Sequence, residues 1–289
     1  MTKSMATGFG LAGWKFRLGR LIEIVLREET KMITINSLSD VVASGAGPEE
    51  LKPYTRVPSL IVEWDNAPGS VWVLRVCEYY GVRDCRWDYP EAAKWASTGG
   101  GEMSYFDHPV SEDPSVRGTS SATIRVDGDR LDYEVTLHNN SSDTWEDAWG
   151  WICLVHRWAG SFQANCELPV GDETGPWTPC VSLPAPKERW LKWCPVLQHS
   201  QIAERIGRNQ AHMWQPHIEA RMGTVRAWRM SLNGPMQQFV EMSSPNAIIV
   251  GWSHWPCTDM GLYFGDIEPG QSEVVRATLG FHEERYQPI

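Results

Sequence analysis

Short β-rich runs separated by turn residues recur along the chain, and they limit its possible folds more than any other feature. Their residues alternate in polarity or are rich in β-branched and aromatic side chains, which is typical of strands. The runs span residues 59–64, 70–77, 121–126, 131–138, 150–156, 223–230, 247–252 and 272–281. Asp127-Gly128-Asp129 predicts a tight hairpin between two of them. The pattern predicts an all-β fold: a two-sheet antiparallel β-sandwich with a few short helices.

Only the start of the chain departs from this pattern. Residues 1–31 are basic and poorly patterned, and Glu23 interrupts their short apolar block. Met32 opens a run that reads like a natural protein start. We therefore expect residues 1–31 to be an N-terminal extension and residues 32–289 to form a single β-sandwich domain.

The net charge and the cysteine pattern limit the possible binding partners and the cellular compartment of the protein. A formal net charge of −10 argues against nucleic acid and anionic membranes as partners, and the chain has no apolar run of about 20 residues that could span a bilayer. The seven cysteines form no Cys-x-x-Cys pair, and no secretion signal is recognisable. We expect mostly reduced, buried thiols in a cytoplasmic protein.

Tryptophan is unusually abundant, with 16 residues against 8 tyrosines and 7 phenylalanines. Trp151 and Trp158 belong to one cluster, and Trp252 and Trp255 belong to another. A Trp ring offers a flat apolar face that can stack on the C–H side of a sugar. These four residues are candidate substrate-binding walls, and a Trp-rich sandwich core is the alternative.

The segment 131–162 carries the first candidate for chemistry. An alternating strand leads through an Asn/Ser/Asp turn to a second strand that ends in His156-Arg157-Trp158. A His beside an Arg can move a proton while the Arg holds an oxyanion. His156 and Arg157 are therefore candidate catalytic residues; alternatively, His156 bonds a backbone carbonyl at the rim of the sheet.

This segment resembles the middle of aldose 1-epimerases and similar galactose-mutarotase-like β-sandwich proteins. The matching residues are Val135, Leu137, Asn139, Ser141 and His156, and the resembling segment covers about a tenth of the chain. The resemblance implies a large mutarotase-like sandwich that binds a sugar in a concave cleft. It also implies that His156 is a general acid working with a carboxylate base.

A second candidate lies near residue 254. His254 stands between Trp252 and Trp255 after an apolar strand, and Asp259 follows closely enough to orient it. We predict that His254 and Asp259 are catalytic and that His156 and His254 share one pocket, since both end apolar strands. The alternative is a Trp-rich turn that Asp259 caps.

A third candidate would bind metal. His212, His217 and Glu219 offer imidazole and carboxylate donors around a Pro bend. A divalent metal ion is thus a candidate cofactor, since elimination beside a poor leaving group benefits from a Lewis acid.

Together these patterns favour a carbohydrate-active enzyme that acts on a small sugar or glycoside by His-mediated acid–base chemistry. Glycoside cleavage by hydrolysis or elimination suits two separated acid–base groups and a wide Trp surface. A sugar epimerase or mutarotase is one alternative, and a non-catalytic carbohydrate-binding or assembly module is the other. The module would tolerate loss of both histidines but not of the Trp walls.

Overall fold

A computed structural model describes most of the chain after residue 32. The described residues are 33–45, 49–83, 85–87, 93–159, 166–169, 177–179, 191–195, 225–231, 236–253 and 257–285. In these ranges no helix is long and apolar enough to cross a membrane. The division between an extension at 1–31 and a domain from residue 32 onward stays a prediction.

Strands dominate the described ranges. In chain order they are β1 (Ile33–Ser37), β2 (Ser59–Trp64), β3 (Val71–Val82), β4 (Cys85–Trp87), β5 (Ala96–Gly99), β6 (Glu102–Pro109), β7 (Gly118–Asp127), β8 (Arg130–Asn139), β9 (Trp145–Trp158), β10 (Cys166–Pro169), β11 (Trp177–Pro179), β12 (Leu191–Pro195), β13 (Val225–Ser231), β14 (Met236–Ser244), β15 (Ala247–Ser253), β16 (Cys257–Ile267) and β17 (Ser272–Arg285). A short helix α1 (Leu38–Ala43) and a 3-10 helix (Glu49–Arg56) follow β1.

The strands form two antiparallel sheets. Sheet A has the order β1-β2-β3-β9-β16-β15-β12, with β4 paired to β3. Sheet B has the order β11-β10-β13-β14-β17-β8-β7-β6-β5. The predicted antiparallel β-sandwich with few short helices is confirmed. The hairpin is also confirmed, because Asp127 pairs with Arg130 and Gly128 adopts a φ of 59° at the turn.

The main core lies between the sheets, and a smaller core covers the outer face of sheet A. Alternate residues of β9 divide between them: Ile152 and Leu154 belong to the main core, whereas Cys153 and Val155 belong to the smaller one. The smaller core also contains residues of α1, so this helix buries part of the outer face.

Two tryptophans of β9 pack directly against glycines, one on the neighbouring strand β3 and one on β7 of the opposite sheet. A Cβ atom at Gly81 would overlap the ring of Trp149, and one at Gly118 would overlap the ring of Trp145. Large rings and bare backbone thus fill the same space, which is one way to reach close packing in a sandwich. These two tryptophans, which are not among the four candidate substrate-binding walls, therefore serve the interior.

Candidate functional site

A row of polar side chains crosses the outer face of sheet A. Arg75 on β3 is the register partner of Cys153 on β9, and Cys153 is the partner of Asp259 on β16. Side chains of directly paired residues lie on the same face of a sheet. Cys257 precedes Asp259 by two positions and therefore joins this face. We call Arg75, Glu78, Cys153, Cys257 and Asp259 the outer-face cluster.

The centre of the cluster is a carboxyl group between two thiols. The Cys257 thiol donates a hydrogen bond of 3.3 Å to Asp259 Oδ2. The two sulfur atoms and a carboxylate oxygen all lie within 4.8 Å of one another. Cys153 and Asp259 are buried, with exposed fractions of 3% and 4%, and Cys257 is half-buried. The three donor atoms therefore converge on one small, nearly dry space.

The electrostatics of this space are unusual. Burial, and secondly the negative charge of Glu78, raise the pKa of Asp259 to about 7, although the two thiols and Arg75 act in the opposite direction. The hydrogen bond with Cys257, then burial and the charge of Asp259, raise the pKa of Cys153 well above its usual value. The cluster thus disfavours further negative charge.

The remaining charged residues of the cluster, Arg75 and Glu78, lie at an irregularity in β3. The register between β3 and β9 shifts between Arg75 and Tyr79, where the consecutive residues Val76 and Cys77 both enter the main core. Such a bulge re-aims the side chains beside it. Glu78 forms an ion pair with Arg75, and their side chains are 25% and 15% exposed. Glu78 is therefore the more accessible of the two carboxyl groups of the cluster.

Aromatic rings border the cluster on the same face. The rings of Trp151 and Tyr79 stack at 5.8 Å with an interplanar angle of 17°. The Trp151 ring also covers Gly261, where an added Cβ would come within 2.6 Å of Cζ3. Arg86 lies 4.1 Å above the ring centre of Tyr79. Trp151, predicted as a sugar-binding wall, thus lies beside Cys153 and Asp259 in the sheet but is 97% buried, since its exposed fraction is 3%.

His156 lies on the opposite face, inside the main core. Its exposed fraction is 0%; Nδ1 accepts a 3.1 Å hydrogen bond from the Trp72 indole, and Nε2 lies 3.0 Å from Thr258 Oγ1. An indole N–H only donates, so Nδ1 is an acceptor and the neutral ring carries its proton on Nε2. Both ring nitrogens have side-chain partners in the interior. The structure does not bring His156 to the outer-face cluster.

Arg157 and Trp158 lie at the end of β9. Arg157 is exposed, with its guanidinium carbon 5.7 Å from the centre of the Trp158 ring. The Trp158 indole donates a 3.4 Å hydrogen bond to Glu50 Oε2, and the ring packs against the smaller core. The ring thus helps to hold the 3-10 helix over sheet A.

Several predicted site residues lie outside the described ranges. They are His254, Trp255, His212, His217 and Glu219, together with the side chain of Trp252 in β15. Their proposed roles, and the pocket shared by His156 and His254, stay predictions.

Sequence reasoning selected Asp259 and Trp151 but missed their polar neighbours. Cys257 and Asp259 are two apart in a β-rich run, a spacing that places both on one face of a strand. That signal was available in the sequence. By contrast, Arg75 and Cys153 are 78 residues apart in sequence (153 − 75), and only the pairing of β3 with β9 brings them together.

Comparisons with known proteins found likenesses in structure only. No family model matches the chain, and no curated protein matches it. The solved structures similar to it include a galactose mutarotase-like protein from Lactobacillus casei, with 10% identity, coverage of 78% of this chain and 97% of that chain, and a TM-score of 0.40. A galactose mutarotase related enzyme from Lactobacillus acidophilus is similar at 9% identity, over 78% of this chain and 95% of that chain, with a TM-score of 0.40.

A galactose mutarotase-like protein from Clostridium acetobutylicum is similar at 10% identity, over 79% of this chain and 92% of that chain, with a TM-score of 0.38. This weak likeness agrees with the resemblance found in the segment 131–162 and extends no further than the fold.

Proposed function

We propose that this chain acts on a small sugar or glycoside by acid–base chemistry at the outer face of sheet A. The observation that carries the proposal is the pair of carboxyl groups, Glu78 and Asp259, beside one guanidinium on a face bordered by Trp151 and Tyr79. Two carboxyl groups in unlike environments are typical of sugar-processing sites. The Trp151 and Tyr79 rings are buried and pack beside these groups.

Within this proposal, Glu78 is the group that exchanges a proton with the substrate. It is the more exposed carboxyl group of the cluster, and its partner Arg75 can hold a substrate oxygen on which negative charge develops. Asp259 lies deeper in the outer-face cluster, with an exposed fraction of 4%. His254, predicted from the sequence as a second acid–base group, precedes Cys257 by three residues and stays a candidate partner.

Cleavage of a glycosidic bond is the reaction that best suits two carboxyl groups, since one can protonate the leaving oxygen while the other acts on the sugar. Sugar mutarotation is the second candidate. It is favoured by the difference in exposure between the groups, because a single accessible carboxylate is sufficient to exchange protons between the ring oxygen and the anomeric hydroxyl.

The test measures both reactions with matched variants. Full-length protein is assayed on a panel of aryl glycosides for release of the aryl group, and by polarimetry on freshly dissolved sugars. Glu78→Gln should lower kcat about 100-fold or more on the substrate that turns over. Glu134→Gln is the control. Glu134 also pairs with an arginine, Arg276, but this pair lies on the exposed face of sheet B, so the variant should keep full activity.

Two results would contradict the proposal. One is full activity of Glu78→Gln. The other is the absence of turnover across both assays, which together with measurable sugar binding would identify a non-catalytic carbohydrate-binding module.

A further inference from the structure

We infer that Cys153, Cys257 and Asp259 form a binding site for one divalent transition metal ion, with zinc as the best fit. The three donor atoms lie within 4.8 Å of one another. In a tetrahedral zinc site with Zn–S bonds of about 2.3 Å, two ligand atoms are separated by about 3.8 Å. The observed cluster therefore needs only a small contraction to surround an ion.

The sheet itself supplies the rigidity that such a site needs. Cys153 and Asp259 are register partners in the pairing of β9 with β16, and Cys257 is on the same face of β16 two residues earlier. Ligands fixed on paired strands in the interior of a sheet lose little freedom on binding, unlike ligands on loops. The site is thus organised before an ion arrives.

The burial of these groups is a second, independent indication. A carboxyl group with 4% exposure lies against two thiols, and the cationic member of the cluster, Arg75, is paired with Glu78. In a dry space these three groups stay neutral by holding their protons, unless a bound cation takes the place of the protons. A divalent ion would replace the thiol protons and form bonds to the two sulfurs and the carboxylate, so that its binding releases protons to the solvent.

The donor set determines the class of ion. Thiolate sulfur favours zinc and similar soft or borderline ions over magnesium and calcium, which prefer oxygen ligands. Three protein ligands leave a fourth tetrahedral position for water or a substrate oxygen, the arrangement of catalytic rather than structural zinc sites. Glu78, the proposed proton-transfer group, is not among the ligands, whereas Asp259 belongs both to this site and to the carboxyl pair of the proposed function.

The first experiment measures metal binding to chelator-treated full-length protein without any activity assay. Titration with Zn²⁺ against a chromophoric competitor should give one equivalent bound. Co²⁺ in place of Zn²⁺ should produce a sulfur-to-cobalt charge-transfer band in the near ultraviolet, which reports thiolate ligands. Zn²⁺ should also protect two thiols from an alkylating reagent.

Variants then assign the ligands. Cys153→Ser, Cys257→Ser and Asp259→Asn should each weaken binding at least tenfold, whereas Cys85→Ser, at an exposed thiol outside the cluster, should not. The double variant His212→Ala/His217→Ala distinguishes this site from the one predicted in the sequence, and it should bind normally. Thermal melts of the metal-free proteins check that each variant folds.

Three outcomes would overturn the inference: no Zn²⁺ binding by the wild-type protein, a Co²⁺ spectrum without the charge-transfer band, or unchanged binding in folded Cys153→Ser and Cys257→Ser. The wild-type spectrum and the thiol protection decide the question even where a cysteine variant fails to fold. Loss of the metal with activity intact would contradict a catalytic role for the ion, and it would leave the acid–base proposal standing.

Discussion

Strands β9 and β16 carry two polar sites on opposite faces, and the two sites differ in the chemical groups that form them. Thr258 and Asp259 are neighbours in the chain, yet Thr258 faces the main core beside His156, whereas Asp259 faces outward beside Cys153. The inner site is a chain of neutral hydrogen bonds. The outer site combines carboxyl groups, thiols and one guanidinium in a small volume.

The difference indicates what each site contributes. In the inner site the Trp72 indole, the His156 ring and the Thr258 hydroxyl are joined by hydrogen bonds, so these contacts stabilise one arrangement of the core. In the outer site burial raises the pKa of Asp259 and so disfavours its charged form. Carboxyl groups perturbed in this way are more frequent at catalytic and ion-binding sites than elsewhere. The proposed function therefore depends on the buried aspartate, and the catalytic role of His156 stays a prediction.

The largest expected effect tests the inner site. His156→Ala removes the acceptor of the Trp72 indole and the partner of Thr258, and it leaves a cavity in the main core. We expect the free energy of unfolding to fall by about 3–5 kcal/mol, measured by urea denaturation. Thr258→Val, which removes only the hydroxyl, should cost about 1–2 kcal/mol. A loss below about 1 kcal/mol for His156→Ala would show that the histidine is not a structural residue.

An intermediate effect tests the packing of the aromatic border on the outer face. Gly261→Ala places a methyl group within 2.6 Å of the Trp151 ring, so the ring or the strand must shift. We expect a loss of about 1–3 kcal/mol in unfolding free energy. In a Trp151→Leu background the same substitution should cost much less, because the obstructing ring is absent. Equal costs in both backgrounds would place the strain in the backbone of β16 instead.

The smallest effect tests whether buried charge on the outer face lowers stability. Glu63, on the same face of β2 as Ile61 of the smaller core, has a pKa raised by burial and secondly by Asp65. The folded protein then holds this proton more tightly than the unfolded chain does. Stability therefore falls as the pH rises from the ordinary Glu pKa of about 4.3 through the raised value.

Glu63→Gln should remove that fall. We expect a slightly higher melting temperature than wild type at pH 7 and no gain at pH 3, where the wild-type carboxyl group is protonated as well. Melting curves across this range make the measurement. Asp65→Asn should give a part of the same gain, and a Glu63→Gln curve parallel to that of wild type would show that the charge has no cost.

The local sequence determined the strands and their faces. Alternation along residues 131–138 and the Asp127-Gly128-Asp129 turn predicted β8 and its hairpin with β7, because side-chain direction in a strand has a period of two and a tight turn needs glycine. The same rule placed Cys153 and His156 on opposite faces. Local patterns alone were therefore sufficient to predict the all-β class and the antiparallel sandwich.

Tertiary structure decided which of the two faces is the interior and which distant residues meet. No local pattern indicates that His156 points between the sheets. The two faces of β9 differ only once sheet B covers one of them and α1 covers part of the other. The row Arg75–Cys153–Asp259 depends on the order β3-β9-β16, and the access of Glu78 depends on a bulge in β3. Pairing between strands far apart in the chain is a property of the whole sheet, so these contacts emerge only when the sandwich closes.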